Sequence, residues 1–518
     1  VDHLGGMGLV WGILAALPLA VGLPMSPAEV AEHRDLAKDM FQFAFDAYMD
    51  LAFPHDELRP ISGTWTDSLV ELGGVPAPER DGYAGVALTL IDGLDTIAVM
   101  GNRTAFADAV WKVADRVSFD QDAVVSVFET TIRALGGLLS GHLVAAGSLP
   151  GFEHMQVDGY RGELLFLARD LGDRLLPAFE GAPPESGVPY PFVHLRDGVG
   201  AQPVPEQCAA GVGTNLLEFA MLTNLTADPR YARASVSALR ALWRLRSEHD
   251  LVGNTIDVRT GRWVNSLATI GAGVDSFYEY LAKGALFTGS GELAAMWDAA
   301  YAAVRRHLYL DGALVVGADM HSPGRRTTNV LGSLQAFWPA VQVLAGDVDD
   351  ARAMHAAFVA VWDAVGAMPE NFQIRNGNEV LAGPVPYPLR PEMAEATLAL
   401  YRATGDHEHL RFGARMLRAI EARSRAPHGF ASVRSVATFA LEDHTPSYFY
   451  AETLKYLYLL FDEGNPAHAQ ELVLTTEAHL FPVLGPEGLP AEVWLEGSGA
   501  AVPDNKTCAE HSPPMAAV

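Results

Sequence analysis

Cysteine is nearly absent from the chain: 518 residues include only Cys208 and Cys508. Two thiols exclude a disulfide-built scaffold, so the fold must rest on a packed core. They leave three states open: a mutual bridge, a bridge to a partner, or two free thiols. Positive charge is also scarce, with 36 Lys and Arg against 63 Asp and Glu and a formal net charge of −27. That deficit excludes nucleic acid or an anionic membrane surface as the main partner. It suits a neutral or cationic ligand, or a bound cation. Beyond the first 25 residues no long hydrophobic run occurs, so no later segment is expected to span a bilayer. What is present is enough apolar side chain for a large core: 49% hydrophobic against 19% charged residues exclude global disorder.

The single long apolar run, Leu9 to Met25, carries small residues at Ala20 and Gly22, as a signal-peptidase site does. Residues 1–25 are therefore expected to be a signal peptide or signal anchor, the chain's only route into a membrane. The triplets at Asn102, Asn224 and Asn505 are candidate glycosylation sites and agree with a secretory route. Residues 482–518 lose periodicity and gain Pro, Gly, Ala and Glu, and are expected to form a disordered tail.

Between these ends a pattern recurs at roughly sixty-residue intervals. A mostly apolar helix ends in a short turn, and a more amphipathic helix follows. Leu88–Met100 precedes Phe106–Val117, Phe128–Leu143 precedes Glu163–Phe179, and Asn215–Leu222 precedes Tyr231–Leu245. Asp275–Phe287 precedes Glu292–Leu308, Leu331–Leu344 precedes Asp350–Val365, and Pro391–Arg402 precedes His409–Ala422. Several of the turns pair a Gly with Asp or Ser, a helix stop followed by a helix start. His33–Leu51 and Tyr448–Phe461 each lack a partner, and joining them closes a ring of seven pairs. The expected fold is an all-α toroid over residues 31–481. The Pro- and Gly-rich segment Pro183–Gly211 is expected to be a hairpin-bearing insertion.

The first helix of each pair is the more apolar and should line the inside. These helices nevertheless carry Asp92, Asp95, Glu129, Glu218, Asp275, Glu279, Glu392, Glu395 and Glu452. Most sit in the first half of a helix, where the macrodipole favours negative charge. Glu129 and Arg133 lie one turn apart on one face, an arrangement that in isolation reads as a structural ion pair. Recurrence on the inner set points instead to a converging cup of acids. Such a cup can hold a hard cation through oxygen. It can also supply the two carboxyl groups that hydrolysis of a glycosidic bond needs. Phe128, Phe219, Phe277, Tyr278, Phe337, Trp338, Tyr448 and Phe449 stand beside the acids; a few would pack on sugar faces and most belong to the core. His407 and His409 look like solvent groups on a turn. No Ser/His/Asp set, phosphate-binding loop or nucleotide fingerprint stands out.

At Ala52–Pro60, Leu88–Thr96, Phe128–Leu139, Asp275–Tyr280, Leu389–Glu392 and Ala451–Glu463 the sequence resembles glycoside hydrolase family 47, the class I α-1,2-mannosidases. Within the family it looks most like the ER degradation-enhancing α-mannosidase-like branch. The resemblance covers Ala31 to His479. It implies an (α/α)7 barrel, with Glu129 as general acid and Asp275 and Glu392 as the pair from which the water-activating base comes. By resemblance Thr476 binds Ca²⁺ through its carbonyl and hydroxyl. Glu218, Glu279, Glu395, Glu452 and Glu477 would hold its waters or the terminal mannose, with Arg133, Arg390 and Tyr448 in the same pocket. The trimming enzymes carry an Arg at the position of Gly273 and a pocket His near Ser333, departures typical of the named branch; the family's acid at Pro446 is lost as well, which bears on efficiency more than on fold.

The implied activity is calcium-dependent, inverting removal of α-1,2-linked mannose from N-glycans of misfolded glycoproteins in the ER lumen, for ER-associated degradation. Alternatives are a weakly active, lectin-like receptor for such glycoproteins, or a conventional ER/Golgi processing mannosidase. A protein disulfide isomerase family oxidoreductase is implied as partner, with a mixed disulfide through Cys208 or Cys508 as one link.

Overall fold

The computed structural model describes residues 24–74, 82–200, 205–310, 314–326, 330–373, 379–380 and 385–495. Most of the expected leader, Asn505 and Cys508 lie outside the described residues.

The helix Pro27–Leu51 starts at a capping box, in which the Ser26 hydroxyl accepts from Glu29 N while the Glu29 carboxylate accepts from Ser26 N. Its buried stripe, Ala37, Met40, Phe41, Ala44, Phe45 and Tyr48, recurs at helical spacing. That stripe packs on Leu454–Leu460, the last inner helix, so the two ends of the chain make the seventh pair.

The remaining inner elements follow in chain order. Leu88–Asp92 and Leu94–Val99 are separated at Gly93. Val127–Glu129, the π-helical turn Thr130–Leu135 and Gly136–Ala145 run on as one rod. Then come Leu216–Thr226, Asp275–Thr288, Trp338–Leu344 and Glu392–Thr404. A second π-helical turn, Phe449–Thr453, leads into Leu454–Leu460. Every residue of Gly136–Ala145, Trp338–Leu344 and Leu454–Leu460 is buried, which explains their lack of a polar face. The outer helices Arg103–Arg116, Glu163–Leu175, Arg230–Arg244, Gly291–His307, Val348–Val365 and His407–Ser424 bury one side each. Each inner helix touches the next around the ring, and each outer helix packs on its own inner partner. The fold is an (α/α)7 barrel, as expected.

Four local expectations change. Leu331–Leu344 is helical only from Ser333, because Val330–Gly332 forms a strand with Asn371–Gln373. Pro183–Gly211 bears a tight turn, in which His194 and Gly198 exchange backbone hydrogen bonds, but its strands pair outside the segment. Its strands Phe192–His194 and Glu206–Cys208 pair with Val124–Ser126 and Thr255–Asp257, so they satisfy backbone groups in the loops that lead into inner helices. The chain also stays packed beyond Pro482. Leu484 N donates to Phe287 O, Arg240 donates to the carbonyl of Trp494, and the short helix Glu492–Leu495 follows. His409 is buried beside His355 (ring centroids 5.4 Å), and burial pushes it down to about 4. His407 accepts a hydrogen bond from Met25 N, so neither histidine is a free solvent group.

Candidate active site

Helix starts deliver the acids. Ser126 ends a strand and its hydroxyl accepts from Glu129 N, starting the helix that carries Glu129 and Arg133. Asp275 and Glu392 are the first residues of their helices, where the unpaired N–H groups favour negative charge. All three line one cavity of about 510 Å³, together with Glu279, Glu395, Glu452 and Glu477. Glu129, Asp275, Glu392 and Glu395 are half-buried; Glu279, Glu452 and Glu477 are buried, so they form the deeper part. Arg133, Arg390, Tyr448 and Thr476 line the same cavity.

Thr476 arrives by a route that the helix repeat did not reveal. Leu472–Leu474 and Leu480–Pro482 form an antiparallel hairpin whose turn carries Thr475 to His479. The turn sits among the inner helices: Lys455 Nζ donates to Ala478 O at 2.7 Å, and His479 packs so closely on Gly136 that a Cβ there would lie 2.6 Å from its ring. Thr476 Oγ1 donates to Glu279 Oε2 at 2.8 Å, and its N–H donates to the Tyr280 hydroxyl at 3.3 Å.

The electrostatics are those of crowded acids short of water. Burial pushes Asp275 up to about 7 and Glu392 up to about 8, and Arg390 opposes both rises. Burial also raises Glu395 and Glu477, while Glu452 goes well above the ordinary carboxyl range, with Glu477 next to burial as a cause. Burial works against the charge on Arg133, but Glu477 and Glu129 outweigh it and hold the guanidinium firmly ionised. Lys283, one turn after Glu279, places its ammonium 2.5 Å from Glu279 Oε1 and 3.8 Å from Glu395. Arg390 is clamped through two nitrogens by Glu370, which also accepts from Ser333.

Three of the expected inner acids are not on the cavity wall. Glu218 is fully buried, accepts from Tyr280 at 2.5 Å, and is pushed up to about 8 by burial. Asp95 accepts from Lys455, Ser140 and Leu480 N, and lies 3.3 Å from His479. Asp92 accepts from Ser447. Inner helices have two kinds of buried wall, one toward the cup and one toward neighbouring helices, and spacing in sequence does not separate them. Of the aromatic candidates, Phe128, Phe337 and Tyr448 line the cavity; Phe219, Phe277, Tyr278, Trp338 and Phe449 are core. Both Arg133 and Arg390 lie over the Tyr448 ring, 5.4 and 5.8 Å from its centroid.

Lys283, Glu370 and Ser447 were not anticipated. Lys283 had a signal, its i, i+4 spacing from Glu279. Glu370 lies in a loop and Ser447 just outside a helix, where no periodicity marks them. Gly273 has a φ of +84° and abuts Asn254, which would stand 2.8 Å from an added Cβ. Ser333 is buried and turned to Glu370. Cys208 is half-buried on the cavity wall, accepts from Gly211 N, and burial pushes its thiol up to about 11. Asn102 caps Arg103–Arg116 through Oδ1, and the exposed Asn224 donates to Gly488 O.

Among the described residues no three Asp, Glu, His or Cys side chains converge as a ready-made metal cage. At the cavity wall Thr476 and Glu477 nevertheless offer oxygen atoms beside the Glu279 carboxylate, and Glu477 Oε2 is buried without a hydrogen-bond partner. That donor set fits a hard cation that keeps much of its water.

A seven-pair α/α barrel with half-buried carboxylates around one open cup fits the two-carboxyl chemistry of a glycoside hydrolase. The chain belongs to glycosyl hydrolase family 47, whose profile matches residues 40–483. It is 43% identical over 90% of its length to Alpha-mannosidase I MNS5 of Arabidopsis thaliana, covering 80% of that protein. It is 40% identical over 89% of its length to ER degradation-enhancing alpha-mannosidase-like protein 2 of Homo sapiens, covering 76% of that relative. The structure of an alpha-1,2-mannosidase from Trichoderma reesei superposes with a TM-score of 0.76 at 26% identity, over 88% of this chain and 99% of that one.

Proposed function

We propose that the protein is a calcium-dependent, inverting α-1,2-mannosidase that trims high-mannose N-glycans of misfolded glycoproteins in the ER lumen. The observation that carries this reading is the shared cavity of Glu129, Asp275 and Glu392, half-buried carboxyl groups at the starts of different inner helices. In this reading Glu129 gives its proton to the glycosidic oxygen. Asp275 or Glu392 takes a proton from a water that attacks the anomeric carbon from the opposite face, so the configuration inverts. Inversion asks for carboxyl groups roughly 6.5–9.5 Å apart to admit that water. The base must be ionised, which burial of both candidates opposes and Arg390 favours.

Thr476 would hold Ca²⁺, with Glu279, Glu395, Glu452 and Glu477 placed to accept from its waters or from mannose hydroxyls. The ion would supply positive charge among these acids and orient sugar oxygens. Relatives named as ER degradation-enhancing alpha-mannosidase-like proteins support the compartment. A partner oxidoreductase would find a poor thiolate at Cys208, because burial pushes that thiol up to about 11. Mannose release from a denatured high-mannose glycoprotein tests the proposal. Release must fall to background in Glu129→Gln and on chelation of calcium. Equal glycan retention by wild type and Glu129→Gln without release identifies a lectin-like receptor instead.

A further inference from the structure

Arg133 makes an uneven contact with Glu129. Its Nε and Nη2 both approach one oxygen, Oε2, at 2.9 and 2.8 Å. Its Nη1 turns the other way and donates to the Ser447 hydroxyl at 3.1 Å. A guanidinium beside a carboxylate ordinarily takes both oxygens with parallel bonds, so something holds this one aside.

Ser447 is wholly buried and fixed from two directions. Its N–H donates to Glu57 Oε1 at 2.7 Å, and the other Glu57 oxygen is 2.7 Å from His444 Nε2. Its hydroxyl donates to Asp92 Oδ2 at 2.5 Å. A serine has one hydroxyl proton. With that proton committed to Asp92, the oxygen meets Arg133 as an acceptor only. Other charges around the guanidinium are Glu477 from the hairpin turn, 3.7 Å from Nε, with Asp92 and Glu57 behind it. The Tyr448 ring covers one side.

We propose that Ser447 is a positioning residue for the acid: by holding Nη1, it confines Arg133 to Glu129 Oε2 and leaves Oε1 available for the transferable proton. This rests on Glu129 being the proton donor. Without the hydroxyl, Nη1 loses its acceptor, the fork closes on both oxygens of Glu129, and the ionised acid is favoured.

The test compares pH profiles of kcat/KM for the full chain with calcium present. Ser447→Ala is expected to move the alkaline limb down by about one pH unit or more, to lower kcat, and to leave KM nearly unchanged. Ser447→Thr, which keeps the hydroxyl, is expected to restore the limb. An unmoved limb in Ser447→Ala, whether or not activity and melting temperature fall, makes the serine structural and overturns the proposal. If Ser447→Ala does not fold, Ser447→Cys, of similar size and a weak acceptor, must show the same displacement; a wild-type limb there overturns it equally. Activity surviving in Glu129→Gln would remove the acid assignment itself. An inactive Glu129→Gln beside an unmoved Ser447→Ala limb removes only the role of Ser447.

Discussion

Glu129 illustrates how little an isolated residue decides. Its side chain keeps 20% of its exposure and has an ordinary i, i+4 partner, and such pairs are common on surfaces. Its meaning comes from Asp275 and Glu392, far away in sequence and on the same cavity. Glu129→Gln is expected to lower mannose release about 10²- to 10⁴-fold with an unchanged circular dichroism spectrum. The Lys455–Asp95–His479 cluster behind the cup has the opposite character. His479 is pushed up to about 9, because Asp95 and Asp92 outweigh the opposing effect of burial. Its contribution to stability is complete below 6.5, its ordinary value, and is lost as pH rises through about 9. Asp95, held down by Lys455 and His479 against burial, contributes above its ordinary 3.8 and loses that as pH falls further. Lys455→Met removes the ammonium bonded to Asp95 and leaves His479 as its remaining charged partner, and chemical denaturation at neutral pH should show a loss of about 3 kcal/mol. In the sequence both sets look alike, as acids on apolar helices.

At the scale of elements, the acid-bearing rod depends on glycine for its place in the ring. A Cβ on Gly137 would lie 2.4 Å from the carbonyl oxygen of Ile91, which is backbone and cannot swing away. Gly137→Ala is expected to cost about 1–3 kcal/mol in a denaturant titration. Activity should fall with it, because the rod carrying Glu129 must move from the segment carrying Asp92. Gly291→Ala is the matching control: nothing lies within 4 Å of the added carbon, so stability should hold or rise slightly. The helix pairs were legible because apolar spacing of 3.6 residues survives in the string. The π-helical turns Thr130–Leu135 and Phe449–Thr453 were not, since one extra residue in a turn leaves the composition unchanged. The hairpin that carries Thr476 escaped for another reason. Its strands are three residues each, too short for alternation to register.

For the whole molecule, the cup's unbalanced charge links calcium, pH and stability. Burial pushes Asp275 and Glu392 up to about 7 and 8 in the fold, from ordinary values of 3.8 and 4.5. Over that interval the folded protein binds more protons than the unfolded chain, so the calcium-free protein should lose stability as pH rises from 6 to 8. Calcium should raise the melting temperature, corresponding to about 2.7 kcal/mol at a hundred times its Kd. The increment should be larger at pH 8 than at pH 6, and absent in Thr476→Ala. Differential scanning calorimetry with and without chelator measures all three.

Sequence alone determined the repeat, the inward placement of the apolar helices and the presence of acids on them, because each is local: periodicity, capping and composition act over a few residues. Tertiary structure decided which acids share the cup, that Asp92, Asp95 and Glu218 stand behind it, and that Ser447, Glu370 and Lys283 hold its charged groups. Those choices depend on the rotation of each helix about its axis and on contacts such as Ser447 to Asp92, 355 residues apart. Long-range packing fixes both, and no short window of the chain contains it.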